Sequence, residues 1–359
     1  MKIVSEDKGR RHFRALEVNG ERVSHLGIYD HVMRIGPARV KMGGIGGVHT
    51  QWQHRKKGYA RIVMEDSLRW MKREGYDVTI LSGIEHFYDK FGFANCMPQV
   101  MSEVRTRDAE AILKEKLPYR TRRLEEADWP EMLRLYNRQN ALRPLSLMRS
   151  IRTFGGIRHG SGFKRAGEAF VVLTRGGKFA GYAILDAFPE KTTACEIEVV
   201  EPDAMRAVFA QLTRIAIKRR DGEIAVQLPS DHPFTAYLRR FSSKTTSLYR
   251  NTGGMMGRII NQEALLSKLA AAYVARRGGV RSGTVTVKTE QGLTKVKIPS
   301  ARRCGVSMPA TTLFQVLVGF RTVEEALFSP GVKLSPGGEK ALRFLASDLE
   351  PCMYSVDHF

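Results

Sequence analysis

From Arg11 to Val18 apolar and polar residues mix at strand-like spacing, Asn19-Gly20 offers two left-handed positions for a tight hairpin, and Val23 to Tyr29 runs back. Gly36-Pro37 marks another turn. Arg39 to Thr50 is a Gly-rich extended run whose tail, Ile45 to Thr50, has little side-chain bulk, and Gly within a strand marks a bulge or a close backbone approach. Gly58 to Glu74 reads as a helix: Ile62, Val63, Trp70 and Met71 are among its apolar positions, Lys72-Arg73 close its last turn, and Gly75 lies just past its end. Val78 to Leu81 follows as a buried strand, then a short helical piece around Glu85 to Lys90, then an extended segment near Met97 to Val104.

The same order returns after a polar helix near Glu125 to Arg138. Glu168 to Thr174 and Lys178 to Leu185 form a hairpin about Gly176-Gly177, Ala194 to Val200 is a third strand, Ala204 to Arg219 a helix, and Glu223 to Leu228 another strand. This pattern predicts a structural duplication. Beyond Met255 to Ile260 the pattern changes to a helix over Gln262 to Arg277, two strands about Gln291-Gly292, and helices near Thr311 to Val318 and Gly338 to Ala346. The expected class is therefore α/β (α+β), in three units spanning 1–118, 119–258 and 259–359.

At 359 residues, 43% of them apolar, the chain is too long for one ordinary domain and can bury a sizeable core. No run approaches the roughly 20 apolar residues of a membrane span, and no signal peptide is visible. Cys96, Cys195, Cys304 and Cys352 stand singly, without a CxxC pair or a histidine at ligand spacing, so neither a disulfide framework nor a metal is expected and a cytoplasmic location fits. The net charge of +21 draws anions, yet the basic residues are scattered along the chain, which speaks against a dedicated nucleic-acid site.

The one concentrated cationic signal is Arg55-Lys56-Lys57-Gly58-Tyr59-Ala60, placed where a loop opens a helix. Unpaired NH groups of a helix start point at an anion, Gly58 and Ala60 admit close approach, and the lysines and arginine neutralise charge, so the geometry suits a pyrophosphate. The second copy has Val200-Glu201-Pro202-Asp203 at the equivalent junction. Lacking glycine and being acidic, it cannot cradle phosphate, and a scaffold role is expected for it.

The order of Gly-rich strand, basic loop, amphipathic helix and buried strand resembles motif A of the GNAT acetyltransferases. Gly44-Ile45-Gly46-Gly47-Val48, Phe87-Tyr88-Asp89-Lys90-Phe91-Gly92-Phe93 and the terminal Asp357-His358-Phe359 sharpen this to a resemblance to the Eis-type (enhanced intracellular survival) branch, covering nearly the whole chain. The resemblance implies tandem GNAT-like domains with mixed central sheets, the second without a cofactor motif, followed by a sterol-carrier-like α+β domain. It implies acetyl-CoA as acetyl donor, with Val48, His49 and Thr50 along the pantetheine arm, Arg55 through Arg61 (Arg55, Lys56, Lys57, Gly58, Tyr59, Ala60, Arg61) around the pyrophosphate, and Gly83 and Ile84 beside the thioester. Members usually carry a further strand and two helices ahead of the meander, whereas this chain is expected to start almost directly at it.

By the same resemblance Tyr88 is the general acid toward the CoA sulfur, and the C-terminal carboxylate of Phe359 is the base. A phenol titrates near about 10 and is protonated at neutral pH, while an α-carboxyl near about 3.3 to 3.7 is ionised. Without the family, Tyr88 would read as a core aromatic among Phe87, Phe91 and Phe93, and Phe359 as an inert end. His49 and His86 flank the expected site as further conceivable bases. The acceptor implied is a primary amine on a lysine side chain, polyamine or aminoglycoside-like molecule, and a homo-oligomer is implied as well. The rival reading is an apolar-ligand-binding protein with a vestigial GNAT domain.

Overall fold

The structure, a computed structural model, describes residues 1–154, 156, 168–186, 191–278, 283–299 and 303–359. The chain opens with β1 (Lys2–Lys8), β2 (Arg11–Val18), β3 (Glu21–Ile35) and β4 (Ala38–Thr50), an antiparallel meander. Asn19 and Gly20 take φ of 53° and 83°, so both central residues of the β2–β3 hairpin are left-handed as its tight turn requires. Helix α1 (Tyr59–Arg73) crosses to β5 (Val78–Gly83), which runs parallel to β4, and β6 (Ala94–Asn95) follows.

Next come β7 (Gln99–Arg105), α2 (Thr106–Ala109), β8 (Tyr119–Arg123), α3 (Trp129–Gln139), β9 (Ala169–Thr174), β10 (Phe179–Leu185) and β11 (Thr192–Val199). Helix α4 (Pro202–Arg219) leads to β12 (Glu223–Val226), α5 (Pro233–Leu238), β13 (Lys244–Leu248) and β14 (Gly254–Ile259). The remainder is α6 (Gln262–Arg277), β15 (Gly283–Thr289), β16 (Gly292–Ile298), β17 (Arg303–Ser307), α7 (Ala310–Leu317), α8 (Val323–Leu327), β18 (Lys333–Leu334) and α9 (Gly338–Leu345).

Among the described residues three sheets result, ordered β1-β2-β3-β4-β5-β14-β6, β13-β7-β12-β11-β10-β9-β8 and β16-β15-β17-β18. The first two are mixed seven-stranded sheets of one plan, each with a parallel pair bridged by a helix, β4–α1–β5 and β11–α4–β12. They exchange a strand. β14 inserts between β5 and β6, and β7 inserts between β12 and β13, so sheet membership cuts across residues 118 and 258, where the sequence pattern suggests boundaries. Burial drives the exchange: Met256 of β14 joins the apolar cluster of Leu26, Ile45, Val63 and Leu81, and Val104 of β7 joins that of Phe209, Ile224 and Phe234.

The meander starts one strand earlier than the sequence pattern suggests, with β1. Its sequence, KIVSEDK, is exposed or half-buried throughout and shows little of the alternation by which strands are recognised. One face of the first sheet carries α1, through Val63, Met64, Leu68 and Met71. The other carries the third unit, where Met33, Val40, Met42 and Ile80 share a core with Leu265, Leu269, Phe314 and Leu342.

The C-terminal segment then threads back across both sheets. Cys352 N donates to Pro144 O at 2.9 Å, Tyr354 is buried in the second unit's core, and Phe359 ends on the first sheet. Among the described residues, no helix is long and apolar enough to cross a membrane.

Candidate active site

The site forms where two parallel strands part. β4 and β5 pair from Met42–Val78 to Ile45–Leu81 and no further, leaving Gly46 to Thr50 and Ser82 to Gly83 on diverging paths. A bulge makes the parting possible. Gly27 faces Gly46 but His25 faces His49, so β4 carries one residue more than β3 over this stretch, with Gly47 at φ 60°. The extra residue reverses the alternation of β4: before the bulge Ile45 packs toward α1, after it Val48 does, and His49 is turned to the face that holds His25, ring centroids 5.3 Å apart.

A groove of about 670 Å³ runs from this opening to the start of α1. Val48, His49, Thr50, Arg55, Lys56, Gly58, Tyr59, Ala60, Arg61, Ile84 and Tyr88 all line it. Two residues assigned to the cofactor by sequence do not, and Phe359, assigned as the base, lies outside it as well. Lys57 is exposed outside the lining, while its neighbour Lys56, at a left-handed φ of 61°, lies within it. Gly83 lies behind the groove and serves as packing surface, since a Cβ there would stand 2.8 Å from the Tyr88 ring. Lys90, Phe87 and Phe91 line the groove although only their neighbour Tyr88 was assigned a role.

The groove's chemistry follows from its helix. α1 is capped by Gly58 in the left-handed conformation (φ 78°) with no side-chain cap, and its first backbone bond runs from Ile62 N to Gly58 O at 3.2 Å. The amides of Tyr59, Ala60 and Arg61 therefore point outward unpaired. Arg55, Lys56, Arg61 and Lys90 surround them and, among the described residues, no carboxylate lines the groove. Free amides, cations and an αL glycine fit a diphosphate, and the splayed edge of β4 fits the amide-bearing arm that such a ligand as CoA would carry. Tyr88 is 7% exposed, its ring edge-on to Phe87 at 4.8 Å, and burial pushes its phenol above the ordinary tyrosine range, which keeps its proton in place.

Phe359 reaches the same strand from the opposite face. A Cβ on Gly44 would stand 2.6 Å from its ring, and one on Gly46 would stand 2.8 Å from its carboxyl oxygen, so these two glycines are the seat of the chain's end. Tyr29 stacks on the Phe359 ring at 6.0 Å and His31 lies 5.5 Å away, its imidazole pushed down to about 4 by burial and by Arg10. His86 sits in the loop after β5 at φ 56°, with its amide bonded to Thr252 Oγ1 at 2.8 Å.

The second unit holds the tail in place, through residues that carried no sequence motif. Arg149 Nη1 and Nη2 donate to the two oxygens of Glu196 at 2.7 Å each, and its Nε and Nη2 donate to Asp357 at 2.8 and 2.9 Å. Tyr136 lies 3.6 Å beneath the guanidinium and donates to Asp357 at 3.2 Å, while Tyr182 donates to Glu196 at 2.5 Å. These side chains are almost dry: Arg149 is 2%, Glu196 0% and Asp357 6% exposed. At the second unit's own strand-to-helix junction, Glu201 caps α4 and accepts from Tyr119 at 2.8 Å, an acidic start unsuited to phosphate.

Residues 3–96 match the family model described as an acetyltransferase (GNAT) domain. No curated protein matches the chain. Among solved structures, a protein of Enterococcus faecalis described as a probable N-acyltransferase superposes with a TM-score of 0.72 at 15% identity, over 96% of this chain and 88% of that one. A GCN5-related N-acetyltransferase of Anabaena variabilis gives 0.70 at 16% over 97% and 89%, and Eis1 of Mycobacterium abscessus 0.62 at 16% over 96% and 91%. Residues 3–96 thus form a GNAT acetyltransferase domain. The chain's tandem mixed sheets and third unit share one fold, along nearly the whole length, with these structures.

Proposed function

We propose that the protein transfers an acetyl group from acetyl-CoA to a primary amine by direct attack. One observation carries the reading: the Phe359 carboxyl group is seated on Gly46, and two residues further along the same strand, at Val48, begins the lining of the cationic groove that Tyr88 closes. Bound acetyl-CoA supplies an activated acyl group as its thioester. The chain's own groups do the rest. The unpaired amides of α1 with Arg55, Lys56, Arg61 and Lys90 bind the diphosphate, and the edge of β4 at Val48 orients the arm.

As the amine nitrogen bonds to the acyl carbon and the carbon–sulfur bond breaks, the amine's proton passes to the Phe359 carboxylate, directly or through water. The Tyr88 hydroxyl gives its proton to the departing sulfur and regains one from solvent. The fixed, dry clamp of Arg149 on Asp357 keeps the terminal carboxylate from wandering. Two features speak against an apolar carrier with a vestigial first domain: the groove keeps its cations and tyrosine, and the third unit's apolar side chains are packed into one core with the first sheet.

Deleting Phe359 tests the proposal. Turnover should be lost while calorimetry still shows CoA binding to a folded protein. Full activity in the truncated enzyme removes the carboxylate from the mechanism.

A further inference from the structure

The face of the first sheet on which Phe359 sits points to the class of amine, an inference that rests on the acetyl-transfer reading above. Strand alternation sorts the side chains of this face. His12 and Arg14 turn toward α1, lying against Trp70 at 4.9 and 5.4 Å, so Arg11 and Phe13 turn the other way. Arg11 is registered with Tyr29 and its guanidinium lies 5.4 Å from the Tyr29 ring, which itself stacks on Phe359. One aromatic ring separates that cation from the chain's end. Lys8 is registered with Arg11 on β1, and Arg10 occupies the turn between them, close enough to depress the His31 imidazole beside Phe359.

The acids nearby are already engaged. Glu6 and Glu17 pair with Arg22, Asp7 and Asp30 with His12, and Asp66 with Arg14. Among the described residues, Lys8, Arg10 and Arg11 have no carboxylate partner. Lys8, Arg10 and Arg11 leave the field in front of Phe359 net positive, against Asp30, Asp357 and the terminal carboxylate. A cationic surround also lowers an ammonium's pKa and so favours the neutral amine that attack requires.

The shape of this face adds to its charge. β1 and β2 are joined through Gly9 and Arg10 alone, and the floor they make with β3 and the end of β4 presents strand side chains: Arg11 and His49 exposed, Phe13, His25 and Tyr29 half-buried. A partly aromatic surface of strand side chains accepts an extended chain, where small molecules favour concave pockets. We infer that the acceptor is a lysine side chain set among acidic residues of an extended polypeptide, and that polycationic amines are poor acceptors.

Acetyl-CoA consumption by the intact protein, measured with a lysine peptide flanked by glutamates, the same peptide flanked by arginines, free lysine and spermidine, tests this. At low salt the acidic peptide should exceed the basic one in kcat/KM by at least about tenfold, a gap that closes as salt screens it. The Arg10→Glu, Arg11→Glu double variant, altered only at exposed positions, should bind CoA as before yet lose or invert that preference. Equal rates for the two peptides, or a preference for spermidine or the basic peptide, overturn the inference, and free lysine turning over as well as the acidic peptide overturns its polypeptide part. Should CoA bind while none of the four amines is acetylated, the acetyl-transfer reading fails, and the acceptor assignment with it.

Discussion

Replacing Asp357 by alanine should unhook the end of the chain while leaving the rest standing. The carboxylate accepts two hydrogen bonds from Arg149 and one from Tyr136, and its side chain is 6% exposed. A hydrogen bond to a charged group contributes about 1.5 to 3 kcal/mol, so even with partial compensation by water the docked tail should lose about 3 kcal/mol. That corresponds to more than a hundredfold in the docking equilibrium. Arg149 keeps its two bonds to Glu196, so no buried charge is left without a partner and global unfolding should shift little. Two assays follow. Carboxypeptidase should trim Phe359 from the variant much faster than from the parent, and kcat should fall at least about tenfold with the KM for acetyl-CoA unchanged. A variant that resists trimming and turns over at the parental rate would refute the idea that Arg149 and Asp357 position the carboxylate.

Tyr88→Phe should lower kcat by about 10²- to 10⁴-fold, the range for loss of a positioned acid, with CoA affinity unaltered by calorimetry. Gly46→Val puts side-chain atoms where the Phe359 carboxyl group lies, so turnover should drop while CoA still binds. Arg55→Ala combined with Lys90→Ala should weaken CoA binding, most visibly at low ionic strength. Glu198, which accepts from Asn140 at 2.5 Å, has its carboxyl pushed up to about 8 by burial and then by Glu196. A carboxyl raised above its unfolded value of about 4.3 favours folding while protonated. Urea unfolding should therefore show stability declining as pH rises from above about 4.3 through 8, and Glu198→Gln should flatten that slope.

Much of the cationic groove is legible in sequence because its residues are local. Arg55 through Arg61 sit in one loop and one helical turn, and the glycines of β4 announce close approach before anything shows what approaches. Gly44 and Gly46 meet Phe359, and Gly47 makes the bulge. The exchange of β7 and β14 has no such local sign. Each reads as a strand by its own pattern, but which sheet takes it depends on where Met256 and Val104 find apolar partners more than a hundred residues away in the chain. β1 is hidden by its exposure. The clamp is hidden by distance: Asp357 belongs to a terminal motif, but Arg149 and Glu196 are ordinary charged residues in sequence, and the near-complete burial of the three together arises only when the tail crosses the second sheet.

The account depends most directly on the cationic groove at the start of α1. Titrating CoA and acetyl-CoA into the folded protein in a calorimeter should give saturable binding near one ligand per chain, weakened by Arg55→Ala with Lys90→Ala. No heat from either ligand, in protein whose folding is verified by a cooperative unfolding transition, would contradict it.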